Sequence, residues 1–140
     1  MTTLSAQTFT LTSEDVGGQA TMKQVFDGFG CTGENVSPQL SWSNPPEGTK
    51  SYAITMYDPD APTGSGFWHW IVMDIPASIT ELTTGAGSGD GLPAGAMQSV
   101  TSYGQPGYGG PCPPPGHGIH QYVITIHALK TESLGLDAQA

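Results

Sequence analysis

Apolar and polar residues alternate along several short stretches of this chain, and the alternation predicts strands. Thr8–Leu11 (TFTL) alternates and reads as a first strand. Ser51–Asp58 (SYAITMYD) is the clearest strand, and Phe67–Pro76 (FWHWIVMDIP) is a second, stopped by Pro76. Gln121–Leu129 (QYVITIHAL) is a third strong one. Shorter strands are expected near LSW (Leu40–Trp42) and within AMQSVTSYG (Ala96–Gly104). The tail KTESLGLDAQA is expected to begin a helix, with Thr131 or Ser133 as its cap. The segments between are rich in Gly and Pro, and no repeat or domain boundary is visible.

Side chains alternate between faces along a strand, so the rows can be read for chemistry. Tyr52, Ile54, Met56 and Asp58 share a face; so do His69, Ile71 and Met73; so do His120, Tyr122, Ile124 and Ile126. Each row is apolar along most of its length and polar at one end. In an antiparallel sheet those ends can meet, and Asp58, His69, His120 and Tyr122 would then ring the mouth of one pocket above an apolar floor. The bland alternative is three unrelated strand ends that are polar because strand ends meet water. By the same parity Trp68 and Trp70 share the face opposite His69 and serve as packing residues, while His127 falls opposite His120 and reads as structural or surface. His117, in a Pro/Gly run, reads as exposed.

Composition narrows the classes. The 140 residues suit a single domain, 1–140, and 20 Gly with 12 Pro favour an all-β architecture over a helical one. The formal net charge is −9, and Lys23, Lys50 and Lys130 are the only basic side chains besides histidine. No arginine is present. That argues against nucleic acid, whose binding needs several cations to displace counterions, and against docking on anionic membranes. An anion site would have to use His, Tyr, amide or backbone N–H donors. No stretch approaches a transmembrane span, and the N-terminus lacks the basic and apolar regions of a signal peptide, so a cytoplasmic protein is the default. Cys31 and Cys112 sit in Gly-rich loops without a CxxC; two free thiols are the first expectation in that compartment, a disulfide the second.

The segment YDPDAPTGSGFWHW (Tyr57–Trp70) carries the densest chemistry. Counted from Asp58, a calcium loop fails at Pro62 and Thr63 and ends on His69 instead of Glu. Asp58, His69 and His120 supply the residue types for iron or zinc, but their spacing matches no local signature. Pro59 and Pro62 turn the chain, so Asp60 is expected to do structural work by accepting loop N–H groups while Asp58 points inward. The stretch GSG (Gly64–Gly66) is too short for a nucleophile elbow, and Cys112 is followed by three prolines. The loop GYGGPCPPPGHG (Gly107–Gly118) lacks the G-K-[ST] of a phosphate-binding loop. It offers Gly109 and Gly110 as backbone that can come close to a ligand, beside His120 and Tyr122.

Taken together, YDPDAPTGSGFWHW, GYGGPCPPPGHGIHQY and GENVSPQLSW resemble the phosphatidylethanolamine-binding protein family, in particular its bacterial and archaeal Raf-kinase-inhibitor-like branch. The likeness spans roughly Phe9 to Leu129. It implies an antiparallel β-sandwich with few short helices and a small cavity that accepts phosphate-type groups, phospholipid head groups or small anions. Carried over by motif, the ligand-binding residues are Asp58 and Pro62 from the first element, then His69, then Gly110, Pro111, His120 and Tyr122. The family often has Arg between the last His and Tyr, where this chain has Gln121, which lowers the phosphate affinity to be expected. Relatives usually continue into a C-terminal helix and a final strand beyond the point that corresponds to Ala140. Kinase inhibition and flowering signals belong to particular family members.

The reading that results is a non-enzymatic binding protein for a small anion or phosphorylated ligand, with no catalytic residues, cofactor or metal. His69 and His120 would donate to the anion, Tyr122 and loop N–H groups would complete the cradle, and Asp58 would favour a protonated histidine. The alternatives are a metal-assisted or Asp/His hydrolase, and an interaction protein that regulates a kinase or protease through another surface.

Overall fold

In a computed structural model, residues 8–16, 21–28, 31–61, 66–89, 91–112 and 120–139 are described. Their strands, in chain order, are β1 (Thr10–Thr12), β2 (Asp27–Gly28), β3 (Cys31–Thr32), β4 (Leu40–Ser43), β5 (Ser51–Asp58), β6 (Phe67–Pro76), β7 (Glu81–Leu82), β8 (Met97–Gln98) and β9 (Val123–Leu129). All pairings are antiparallel. One sheet runs β1-β4-β7, a second β8-β6-β5-β9, and β2 and β3 form a small ribbon. One short 3-10 turn, Ala86–Ser88, is the helical element among the described residues.

The two larger sheets enclose one core, which makes this an antiparallel β-sandwich. Leu40, Trp42 and Leu82 come from the first; Tyr52, Ile54, Met56, Trp70, Val72 and Ile75 come from the second. Register explains the inner rows: Met56 sits between Trp70 and Ile124, Ile54 between Val72 and Ile126, and Tyr52 between Ile75 and Ala128. Burying a side chain such as Ile54 fully stabilises the fold by about 1.5–3 kcal/mol. Outer residues follow the opposite parity, with Tyr57 between Trp68 and Val123, and Thr55 between Ile71 and Thr125.

β5 and β6 have the expected bounds, but β6 is not regular. Its register with β5 shifts twice. Between the pairs Met56–Trp70 and Tyr57–Trp68 one extra residue, His69, is inserted, so His69 and Trp70 are both buried. A bulge of this kind re-aims side chains. It corrects two expectations. The inner row of β6 is Trp70, Val72 and Ile75 instead of His69, Ile71 and Met73, and the tryptophans do not share a face: Trp68 is 41% exposed and Trp70 fully buried. The second shift falls near Asp74, whose backbone is left-handed (φ 58°).

Three other boundaries differ. β1 starts at Thr10, and the stretch after Ala96 pairs at Met97–Gln98 with one further bridge from Val100 to Pro106. β9 begins at Val123, so His120 and Tyr122 precede it. The tail contains no helix through residue 139. Gly135 is left-handed (φ 69°), which interrupts helical backbone, and the tail's polar groups are satisfied elsewhere. The Ser133 hydroxyl and the Leu134 N–H donate to the two carboxylate oxygens of Asp74, and the Val100 N–H donates to the Ala138 carbonyl.

Candidate functional site

Asp58 ends β5 on its inner face and is buried. Its position follows from parity: Tyr52, Ile54 and Met56 precede it on the same side. His120, 62 residues later, is also buried, and its Nδ1 lies 2.6 Å from Asp58 Oδ2. The other Asp58 oxygen, Oδ1, accepts the Asp60 N–H at 2.8 Å, which turns the chain after Pro59. Asp60 is exposed, and its Oδ2 accepts the Gln121 N–H at 2.8 Å. The DPD element therefore divides its labour. Asp58 holds the His120 ring, and Asp60 holds the backbone that carries it.

His69 reaches the same place from the β6 bulge. Its Nδ1 lies 2.8 Å from the Gly109 carbonyl, and the Gly109 N–H returns a bond to the His69 carbonyl at 2.9 Å. A ring nitrogen facing a carbonyl must carry the proton, so Nδ1–H donates and the neutral ring leaves Nε2 as an acceptor. Burial lowers the His69 pKa; the Gly109 carbonyl and the Asp58 charge oppose that shift without overcoming it. His69 is thus neutral at neutral pH.

Tyr122 lies between the two histidines, its ring edge-on to His69 at 5.3 Å between centroids and 6.3 Å from His120. Its hydroxyl is buried with no hydrogen-bond partner among the described residues. Burial, reinforced by Asp58 and Asp60, pushes its pKa up to about 12, so the proton stays on the oxygen.

Gly110 and Pro111 stand in the wall behind His69, and both are buried. The backbone here is already engaged: the Gly110 N–H donates to Asn35 Oδ1 at 2.8 Å, its carbonyl accepts from the Tyr103 hydroxyl at 2.6 Å, and the Pro111 carbonyl accepts from the Phe26 N–H at 3.0 Å. A Cβ on Gly110 would lie 1.9 Å from the Gln24 carbonyl oxygen, so glycine is needed for chain-to-chain approach. The N–H groups of Gly109 and Gly110 are therefore not free to line a cradle, contrary to the expectation from sequence. Pro62 and His117 lie outside the described residues.

The wall has a covalent tie. Cys31 in β3 and Cys112 are joined by a disulfide across 81 residues, with Cα atoms 6.0 Å apart. This corrects the expectation of free thiols: the two Gly-rich loops that carry them are brought together by Phe26–Pro111 and Asn35–Gly110 pairing, which cysteine spacing alone does not reveal.

Sequence reasoning missed Phe67, Tyr103 and Asn35. Phe67 and Tyr103 pack on His69 at ring distances of 5.0 and 5.6 Å. Asn35, left-handed at φ 54°, clamps the loop through Gly110 N–H and the Tyr108 carbonyl. It falls within the quoted GENVSPQLSW motif, which was its available signal; Tyr103 had none beyond its aromatic ring. Beyond Asn35 and Tyr108 lies a separate open cleft of about 610 Å³ that includes Asp27 and Glu34 but neither site histidine. Its carboxylates suit an anion poorly. Among the described residues no three His, Cys, Asp or Glu side chains converge as a metal would require, and no helix is long and apolar enough to cross a membrane.

Known proteins resemble this chain in sequence and in fold. Residues 12–140 match the family described as phosphatidylethanolamine-binding protein. The Escherichia coli UPF0098 protein YbcL is 52% identical over 144 residues, covering 99% of this chain and 79% of the relative. YbhB from the same organism is 46% identical over 125 residues, covering 89% and 78%. The crystal structure of E. coli YbcL, described as a new member of the mammalian PEBP family, superposes with a TM-score of 0.91 at 51% identity, covering 94% of this chain and 83% of that one. A homologue from Chlamydia trachomatis gives 0.70 at 30% identity, covering 86% and 74%. The chain belongs to the phosphatidylethanolamine-binding protein family.

Proposed function

We propose that this chain is a non-enzymatic binding protein whose ligand carries a phosphate-like anionic group, held by Asp58, His69, His120 and Tyr122. The observation that carries this reading is the buried Asp58–His120 pair at 2.6 Å beside a buried Tyr122 hydroxyl without a partner among the described residues. A buried polar atom left unsatisfied costs about 1–3 kcal/mol, and a ligand oxygen would recover that cost. Gly110 and Pro111 back the site as a rigid wall, and Pro62 is carried from the family motif as a further contact.

The donors have distinct roles. His120, oriented by the Asp58 carboxylate at Nδ1, is the donor assigned to the anion. Neutral His69 offers an Nε2 lone pair, which suits a protonated oxygen of the ligand. Tyr122 can donate or accept. A phosphate group with one ionised and one protonated oxygen fits this set better than a fully ionised one. Binding then takes up a proton, so affinity rises as pH falls toward 6. The lack of arginine makes the site a weak one.

Cys31 and Cys112 are committed to the disulfide, so neither offers a thiol nucleophile; this favours binding over thiol-based hydrolysis. The same bridge supports an oxidising compartment in place of the cytoplasm expected from the N-terminus. Calorimetric titration with inorganic phosphate at pH 6 and 7.5 tests the function. Saturable binding that weakens at the higher pH and is lost in His120→Gln is expected. A folded protein that binds no phosphate, or binds it unchanged in His120→Gln, overturns it.

A further inference from the structure

The hydrogen-bonding sense of His69 is fixed by the backbone beside it. Its Nδ1 lies 2.8 Å from the Gly109 carbonyl, and the Gly109 N–H donates to the His69 carbonyl at 2.9 Å. A carbonyl oxygen only accepts, so the ring proton sits on Nδ1. Turning the ring over would break that bond, and the rings of Phe67, Tyr103 and Tyr122 pack around it at 5.0, 5.6 and 5.3 Å between centroids. Burial, at 4% exposure, keeps the ring neutral. Nε2 therefore carries a lone pair, which a bound ligand satisfies with a hydrogen and not with an anionic oxygen.

Charge narrows the ligand further. The Asp58 carboxylate is buried in the same place, and none of Asp58, His69, His120 and Tyr122 is a permanent cation. A second negative charge on the ligand would meet both a carboxylate and a lone pair. We propose that the site selects phosphomonoesters, held as the monoanion with one P–OH, and rejects phosphodiesters. At that protonation state the two carry the same single charge and differ by one hydrogen. The monoester hydroxyl donates to His69 Nε2, and an ionised oxygen accepts from the Tyr122 hydroxyl, which has no partner of its own among the described residues. A diester has no hydroxyl, so one of its oxygens must face the Nε2 lone pair, and a site that bonds a ligand O–H discriminates strongly against the analogue that lacks it. A phosphate with one organic substituent passes; a phosphate with two, which is the chemistry of a membrane phospholipid, does not. This inference rests on the anion-site reading of the same four residues.

Titrations of methyl phosphate and dimethyl phosphate at pH 6.5, followed by NMR, test the selection. At that pH about a quarter of a monoester is the monoanion, its second pKa being about 6. Per monoanion, methyl phosphate should bind roughly ten- to a hundredfold more tightly than dimethyl phosphate, since the diester leaves a buried acceptor unpaired. The nitrogen resonance of His69 Nε2 should move with methyl phosphate and hold with dimethyl phosphate. His69→Phe keeps a ring among the aromatics but removes the acceptor, and should bring the ratio close to one. Tyr122→Phe should weaken both esters and preserve the ratio, because its hydroxyl meets an ionised oxygen that both ligands carry. Equal binding of the two esters by the unaltered protein, tighter binding of the diester, or a ratio that survives in folded His69→Phe overturns the proposal. Should His69→Phe not fold, the ratio and the Nε2 resonance in the unaltered protein decide. Equal binding leaves the anion-site reading standing, whereas a folded protein that binds neither ester nor inorganic phosphate refutes that reading and the selection with it.

Discussion

His120 Nδ1 and Asp58 Oδ2 are 2.6 Å apart although 62 residues separate them in sequence. Both side chains are buried, so neither can exchange its partner for water without opening the end of the sandwich. The pair fixes which ring nitrogen of His120 faces the carboxylate. It also has a structural role, because Asp58 Oδ1 closes the turn to Asp60 and Asp60 holds the backbone of Gln121.

Asp58→Asn separates charge from shape. The amide oxygen can still accept the Asp60 N–H, but the negative charge beside His120 is gone. Stability should fall by about 1–3 kcal/mol in urea denaturation, and phosphate affinity by about tenfold or more. Unchanged affinity would show that the carboxylate does not support the bound anion.

Tyr122→Phe removes a buried hydroxyl that satisfies no partner in the described structure. Deleting such a group is neutral or stabilising for folding. The melting temperature should hold or rise while phosphate affinity falls severalfold. A clear loss of stability would mean that the hydroxyl serves the fold.

Stability should fall on acidification through His69. Its folded pKa lies below the ordinary histidine value near 6.5, chiefly through burial. As pH drops past about 6.5 the unfolded chain binds a proton that the folded chain does not, so the unfolded state is favoured. Chemical denaturation between pH 7.5 and 5 should show this decline, and His69→Gln should flatten it. An identical decline in the variant would place the cause elsewhere.

Reducing the Cys31–Cys112 bridge should destabilise the fold by roughly 4 kcal/mol, since the bond closes a loop with a sequence separation of 81. Thermal melts with and without a thiol reductant measure this. Phosphate affinity should fall as well, because the bridge ties the wall that carries the Gly109 carbonyl.

Much of the site was legible from strand parity. The row Tyr52, Ile54, Met56, Asp58 is regular, so periodicity alone put Asp58 inward. β6 defeated the same method: an inserted residue at His69 inverts the side chains that follow until the second shift near Asp74 restores the parity at Ile75, and nothing in FWHWIVMDIP marks the insertion. His69 is buried because it lies at the bulge, and Met73 is buried as well, whereas Ile71 and the two tryptophans depart from the expected faces. His120 and Tyr122 precede β9, and Asp60 positions that backbone through a contact that local pattern does not encode. The tail misled because its helix signals were local, while Asp74 and Gly135 decide its course.

The most direct test follows the ring resonances of His69, His120 and His127 by NMR as inorganic phosphate is added near pH 6. His127 is an internal control, exposed and bonded to Thr55 on the outer face of the sheet. Saturable shifts at His120 and His69 with His127 unmoved are the predicted result. Rings that do not respond, or a His127 shift that tracks the other two, would contradict an anion site at Asp58, His69, His120 and Tyr122.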